Sequence, residues 1–177
     1  MGKDYSIFNK LNSYDTIVKI VKDRAVTQPD DICFRYLSYS GEEVIESKLT
    51  YKELDKQSMR IATYLQSNDL TGKCVILLYP GGLDFIMAFF GCLYAKVIAV
   101  PFYHFISNRR ISRLMAAVKD SEAKIFLSIS SEIKGISSFI NNNFPNEGYY
   151  WIATDTIKDV KGSDYEKAEI LEDSNSR

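Results

Sequence analysis

Residues 74–101 read CVILLYPGGLDFIMAFFGCLYAKVIAVP, and this stretch decides the fold class of the chain. It holds a short apolar run, a Pro-Gly-Gly turn, an apolar segment of helix length and a second short apolar run. Short apolar runs of this kind are typical of strands that are buried on both faces of a sheet. We therefore predict strands at Cys74–Leu78 and Val97–Val100, the second stopped by Pro101, and a helix at Leu83–Tyr94 between them.

The same alternation continues towards the C-terminus. The pattern predicts a helix at Arg109–Val118, a strand at Ile125–Leu127, a helix at Glu132–Ile140 and a strand at Tyr150–Ala153. Because strands and helices alternate, their connections are crossovers and the sheet is mainly parallel. The predicted fold class is α/β, with a mainly parallel, doubly wound sheet.

A helix and a hairpin are predicted before this sheet. Apolar residues between Ile17 and Ala25 repeat at helical spacing, and Gln28-Pro29-Asp30 ends that helix. Strand-like segments at Ile32–Tyr39 and Val44–Leu49 flank a turn signal at Ser40-Gly41, so they are expected to form a β-hairpin.

A second N-terminal helix has a clear start signal. Thr50-Tyr51-Lys52-Glu53 has the form of a capping box, in which the Thr50 hydroxyl accepts from the Glu53 amide while the Glu53 carboxylate reaches back. The apolar positions that follow predict a helix that ends near Asn68.

The composition fits one globular domain with a polar end. Of the 177 residues, 46% are apolar and 25% are charged, which allows a core. The formal net charge of −1 offers no basic excess to neutralise phosphates, so a nucleic-acid partner is not expected. We assign residues 1–157 to the domain and residues 158–177, which are polar and acidic, to a connector or tail.

The cysteines, the histidine and the hydropathy exclude further classes. Cys33, Cys74 and Cys92 are far apart and His104 is the single histidine, so a metal site of the usual Cys/His kind is excluded. Cysteines among apolar residues predict buried free thiols and a cytoplasmic protein. The apolar stretch from Phe85 to Val100 is interrupted at Lys96 and is shorter than the about 20 residues of a membrane span, so we expect no membrane span.

The glycine-rich turn is the first candidate for nucleotide binding. Pro80-Gly81-Gly82 follows a strand and precedes a helix, which is the context of a phosphate-binding loop. The turn matches neither GxGxxG nor GxxxxGK[ST], and Asp84 would repel a phosphate. We interpret it as an ordinary strand-to-helix turn.

His104 and a small basic cluster are the remaining candidates. His104 is a candidate base because it follows a strand end, where α/β sheets bind their ligands, but a lone histidine is more often structural or exposed. The sequence contains no GxSxG elbow that would present a serine nucleophile. Arg109, Arg110 and Arg113 either meet an acidic partner or form a solvated helix face. From the residues alone we assign no catalytic, cofactor-binding or metal-binding residue.

Two segments resemble a known family. Leu49-Thr-Tyr-Lys-Glu-Leu54 is similar to the first core motif of the adenylate-forming superfamily. Residues 75–101 resemble the second core motif in the form typical of fatty acyl-AMP ligases, and Phe89–Ala95 and Val97–Pro101 are its most specific parts. Trp151–Asp155 is also similar to the family.

The resemblance implies an activity for the complete family enzyme. Fatty acyl-AMP ligases activate a long-chain fatty acid with ATP and Mg²⁺ and pass the acyl group to an acyl carrier protein. The Ser/Thr/Gly-rich phosphate loop, the adenine- and ribose-binding motifs and the catalytic lysine of the family do not occur in residues 1–177. Residues 1–157 are therefore expected to be a partial N-terminal adenylation domain, without bound cofactor and inactive by itself.

Other hypotheses remain open, and two positions depart from the family pattern. The chain could be a non-catalytic binding or complementation module that associates with a separately encoded remainder, or an unrelated flavodoxin-like domain. Lys96 stands where the family usually has Gly in a left-handed helix cap, at a cost of roughly 1 kcal/mol. His104 stands where a proline is common. We also expect exposed apolar patches, with weak stability or self-association.

Overall fold

The computed structural model describes residues 15–103, 108–143 and 148–158, which fall into two compact units. The first unit extends to Lys56 and the second begins at Gln57. His104 and the acidic tail lie outside the described residues. The division into a domain at 1–157 and a tail at 158–177 therefore stays a prediction.

The first unit contains the predicted helix and hairpin. Helix α1 spans Ile17–Thr27. Strand β1, Ile32–Ser40, pairs antiparallel with strand β2, Glu43–Thr50, in a register that places Tyr39 opposite Val44. Both predicted elements are confirmed.

The capping box forms at the start of helix α2, Tyr51–Ser67. The Thr50 amide donates to the Glu53 carboxylate at 2.9 Å, and the Glu53 amide donates to the Thr50 hydroxyl at 3.2 Å. The bond from the Thr50 amide is the main reason why the pKa of Glu53 lies below its usual value. At the same turn Arg24 donates to the Tyr51 hydroxyl at 3.0 Å, with its guanidinium 5.3 Å from the ring centroid, which fastens α1 to the start of α2.

The second unit contains a parallel sheet with alternating helices. Its four described strands have the order β4-β3-β5-β6, and all three pairings are parallel, which confirms the predicted fold class. The elements are β3 Cys74–Tyr79, α3 Leu83–Tyr94, β4 Ile98–Tyr103, α4 Asn108–Ser121, β5 Ile125–Ser128, α5 Ser130–Asn143, β6 Tyr150–Ala153 and a 3-10 helix at Thr154–Thr156.

Strand β4 differs from its prediction in two ways. It continues through Pro101, which lies opposite Leu77, so the prediction that Pro101 stops the strand is wrong. Proline is tolerated there because β4 is an outer strand of the described sheet, where a missing N–H need not interrupt a ladder. Ile98, at the start of β4, is 53% exposed, whereas the sequence predicted burial on both faces.

A contiguous apolar core covers one face of the sheet against α4 and α5. Phe126 lies at its centre, with the Trp151 ring stacked on it at a centroid distance of 4.6 Å. The buried members of this core are Ile76, Leu78, Ile111, Leu114, Val118, Ala123, Phe126, Ile136 and Ile140. Among the described residues, no helix is both long enough and apolar enough to cross a membrane.

Helix α3 ends in a Schellman motif that places Lys96 in the left-handed region. The Lys96 amide donates to the Leu93 carbonyl at 3.2 Å, and the Val97 amide donates to the Cys92 carbonyl at 2.9 Å. The φ of Lys96 is 55°, so the expected left-handed helix cap is confirmed.

Candidate functional site

Open α/β sheets place a ligand crevice at a topological switch point, and in this sheet that point lies at the carboxyl ends of β3 and β5. These neighbouring strands lead in opposite directions, β3 through α3 to β4 and β5 through α5 to β6. Open α/β sheets bind ligands where adjacent connections diverge in this way. The strand-end crevice, which we define by Tyr79, Ser128 and Thr154, is therefore the candidate site.

A buried hydrogen-bond network fills the floor of the strand-end crevice. The Thr154 hydroxyl donates to the Ser128 carbonyl at 3.3 Å, so the Tyr79 hydroxyl is the donor in its 2.8 Å bond to Thr154. The Ser128 hydroxyl donates to the Leu78 carbonyl. Burial raises the pKa of Tyr79 above its ordinary value, so the phenol stays protonated and keeps this donor role.

Carboxylates meet the helix N-termini at this end of the sheet. Asp155 accepts from the amide and the hydroxyl of Ser130, the first residue of α5, at 2.8 and 2.6 Å. Burial alone would raise the pKa of Asp155, but the two bonds from Ser130 outweigh it and the pKa is lowered. Asp84 lies in the first turn of α3, where burial and then the charge of Asp155 raise its pKa.

These carboxylates decide what the Pro80-Gly81-Gly82 turn can bind. Helix N-termini attract anions, but here Asp84 and Asp155 already supply the negative charge. A phosphate at the N-terminus of α3 or α5 would be repelled by the negative charge of these carboxylates. The geometry supports the interpretation of the turn as an ordinary connection.

Arg60 brings a positive charge to the same place from α2. Its Nη2 donates to the Thr154 carbonyl at 3.3 Å. Its charge favours the ionised form of both carboxylates, although burial and the charge of Asp155 still keep the pKa of Asp84 above its ordinary value. Its Nε is buried and has no hydrogen-bond partner among the described residues. Arg60 therefore links α2 to the end of β6 and offsets the two carboxylates.

An aromatic ladder extends from the crevice along α3. The Tyr79 and Phe85 rings lie 6.3 Å apart at 65°, and Phe85 and Phe89 lie 6.1 Å apart at 26°. Phe85 and Phe89 are only half-buried. This side of α3 consequently presents an apolar surface next to the polar crevice.

The residues singled out from sequence have different outcomes. The Pro80-Gly81-Gly82 turn lies at the crevice. Arg113 is exposed on α4, whereas the side chains of Arg109 and Arg110, like His104, lie outside the described part of the chain. Among residues 15–103, 108–143 and 148–158, no group of three acidic, cysteine or histidine side chains could hold a metal ion.

Sequence reasoning missed Arg60, Ser128 and Thr154. Ser128 and Thr154 are polar residues directly at strand ends, a signal that could have selected them. Arg60 lies 94 positions before its partner Thr154, and no local pattern marks that pairing.

Asp155→Ala is expected to destabilise the second unit in a pH-dependent way. At pH 7 the loss of a helix cap should cost about 1 kcal/mol. Because the pKa of Asp155 is lowered by folding, its contribution is present above the unfolded value of about 3.9 and is lost as the pH falls through the folded value. Urea unfolding of the variant and of wild type at pH 7 and pH 3 measures this effect. The difference in the free energy of unfolding between the two proteins should be smaller at pH 3. Asp155→Asn, which keeps an uncharged acceptor, is the matched control. If the alanine variant loses as much unfolding free energy at pH 3 as at pH 7, the role of the Asp155 charge is contradicted.

Comparison with known proteins identifies the family. The model of the family described as AMP-binding enzyme matches residues 21–170, and the chain belongs to this family. A medium-chain fatty acid–[acyl-carrier-protein] ligase, JamA of Moorena producens, is 32% identical over 167 residues, covering 91% of this chain and 28% of JamA. A long-chain fatty acid–AMP ligase, FadD32 of Mycobacterium marinum, is 26% identical over 88% of this chain and 25% of its own length.

Solved structures give the same result. The fatty acid AMP ligase of Legionella pneumophila superposes with a TM-score of 0.73 at 28% identity, covering 91% of this chain and 26% of that one. The resemblance to fatty acyl-AMP ligases and the position in the N-terminal part of the adenylate-forming domain are thereby confirmed. The chain spans about a quarter of the length of the relatives it matches.

Proposed function

We propose that this chain is the N-terminal part of a fatty acyl-AMP ligase, which converts a fatty acid and ATP to acyl adenylate and pyrophosphate and passes the acyl group to an acyl carrier protein. The observation that carries the proposal is the 32% identity to JamA over 91% of the chain. The Legionella enzyme at 27% identity was solved with acyl adenylate and pyrophosphate, the products of the first step.

The second unit supplies a surface that suits the fatty acyl part of such a reaction. The aromatic ladder begins at the buried Tyr79 and continues to Phe85 and Phe89, whose apolar rings are only partly buried. An alkyl chain packed along α3 would remove this surface from water. The relatives differ in acyl chain length, medium for JamA and long for FadD32, so the proposal extends to fatty acids as a class.

The described residues do not fit ATP or Mg²⁺. A phosphate at α3 or α5 would face Asp84 or Asp155, and the backbone amide of Ser130 is already bonded to Asp155. Attack on ATP requires preorganised donors around the phosphates, which these residues do not provide. We therefore propose that ATP and Mg²⁺ are held by the remaining part of the ligase and that this chain alone is inactive.

ATP–pyrophosphate exchange tests this proposal. The purified chain with dodecanoate or palmitate, ATP and Mg²⁺ should exchange pyrophosphate at the rate of the enzyme-free blank. The Legionella fatty acid AMP ligase serves as the positive control. Exchange above the blank by the chain alone would contradict its inactivity.

The ligase assignment itself needs the polypeptide that continues the chain. Expression of residues 1–177 joined to the product of the reading frame directly after the Arg177 codon should yield fatty acyl adenylate, detected by mass spectrometry. If this joined protein adenylates an amino acid or an aryl acid instead of fatty acids, the proposed substrate class is wrong.

The alternative is a complementation module that works with a separately encoded remainder. Exposed apolar side chains in the first unit, including Tyr39 at 72% exposure, favour an association of this kind. Co-purification with such a remainder would support it. For either form of the ligase we propose a cytoplasmic location, because Cys33, Cys74 and Cys92 are all free thiols.

A further inference from the structure

The tip of the β1–β2 hairpin exposes apolar side chains on both faces. On one face Leu37, Tyr39 and Val44 are 48%, 72% and 53% exposed, and we call these three residues the hairpin tip surface. Ile45 projects from the opposite face, because side chains alternate along a strand, and is 47% exposed. A two-stranded hairpin is marginally stable by itself and needs further packing.

The other end of the same face is polar and internally satisfied. Glu46 accepts from Arg35 at 2.7 Å and from Lys48 at 2.9 Å. Opposite charges are thus paired beside the hairpin tip surface. An apolar centre bordered by polar groups is the usual anatomy of a protein interface.

We infer that the hairpin tip surface is the docking site for the part of the adenylation domain that lies outside this chain; this inference rests on the proposed function. The match covers 28% of JamA and 26% of the Legionella enzyme, so about three quarters of a ligase is available to cover it. Apolar side chains are exposed on both faces of the hairpin, which favours the rest of the domain over a second copy of this chain. A second copy stacked on one face by a two-fold axis would leave Ile45, on the other face, in water.

Binding between two expressed polypeptides tests the docking site. The probe is the product of the reading frame that directly follows the Arg177 codon, immobilised for biolayer interferometry against residues 1–177. The double variant Tyr39→Lys/Val44→Lys should bind at least tenfold more weakly, because two desolvated charges replace apolar contacts. In wild type, binding should also slow hydrogen exchange of the β1 and β2 amides.

The matched control is Val26→Lys. Val26 is 82% exposed on α1 in the same unit, and the change adds the same kind of charge away from the hairpin. Its Kd should stay within twofold of wild type. Far-UV circular dichroism should be the same for wild type and all variants, since every substituted side chain is exposed.

Several results would overturn the docking site. The first two are an unchanged Kd for the double variant and an equal loss of affinity for Val26→Lys. The third is the absence of any such reading frame. The fourth is a concentration-dependent dimer of the chain alone that Tyr39→Lys abolishes. Failure of the ligase proposal is distinguishable, because a complex that forms through the hairpin but makes no acyl adenylate would leave the docking site intact.

Discussion

Replacing Gly91 with alanine should lower the free energy of unfolding of the second unit by about 3 kcal/mol. Gly91 lies where α3 crosses α2, and a Cβ there would stand 2.7 Å from Cγ2 and 2.8 Å from Cβ of Ile61. The Cβ of Ile61 moves only with the backbone, so the two helices would have to separate. That separation would also strain the 3.3 Å hydrogen bond from Ser58 to the Met87 carbonyl.

Urea unfolding followed by fluorescence measures this effect directly. Trp151 is the single tryptophan, and its stacking on Phe126 makes it a reporter of the second unit. The matched control is Gly135→Ala in α5, where an added Cβ meets nothing within 4 Å. That variant should be more stable than wild type by about 0.5–1 kcal/mol, because alanine favours the helix over glycine. Equal stability of the two variants would contradict the close approach of α2 and α3.

The triple variant Asp69→Gly/Lys96→Gly/Glu122→Gly should raise the free energy of unfolding by about 2 kcal/mol. All three residues follow helices and have left-handed φ values of 56°, 55° and 54°. Each makes the cap hydrogen bonds already described for Lys96, as in the bond from the Glu122 amide to the Lys119 carbonyl at 3.3 Å. Glycine adopts this conformation without the steric cost of a Cβ, and the three separate sites should add.

The single variants should differ in a defined order. Aspartate tolerates the left-handed region better than lysine or glutamate, so Asp69→Gly should gain least. Lys96→Ala is the control, because it removes the same charge but keeps the Cβ and should give no gain. The midpoint of thermal unfolding, read from Trp151, should rise by several degrees for the triple variant. A triple variant that melts at or below the wild-type midpoint would show that these caps are not strained.

Most of the fold could be predicted from local patterns. Helix α3 and strand β6 have the predicted bounds, because a turn or a polar residue limits each of them. The left-handed cap at Lys96 was also predictable, since it depends on the transition from a helix to a strand two residues later. Strand β4 was harder, because whether Pro101 ends a strand depends on whether that strand lies inside the sheet or at its edge.

Little of the candidate site could be predicted. Asp84 was recognised as unfavourable for phosphate because it lies in the first turn of a helix next to the glycine turn. The partnership of Asp155 with Ser130 joins the end of β6 to the start of α5 over 25 positions, and Arg60 reaches Thr154 from a different helix. Contacts of this kind have no periodicity and no fixed spacing.

The sequence by itself determined the α/β class, the capping box at Thr50 and the family, because each depends on residues that are adjacent or regularly spaced. Only the tertiary structure decided the strand order β4-β3-β5-β6, the crevice between β3 and β5, and the pairing of Asp155 with Ser130 at that crevice. The physical reason is that strand order is set by how crossovers pack both faces of the sheet. The charge at the strand ends is in turn set by side chains that this packing brings together from distant segments.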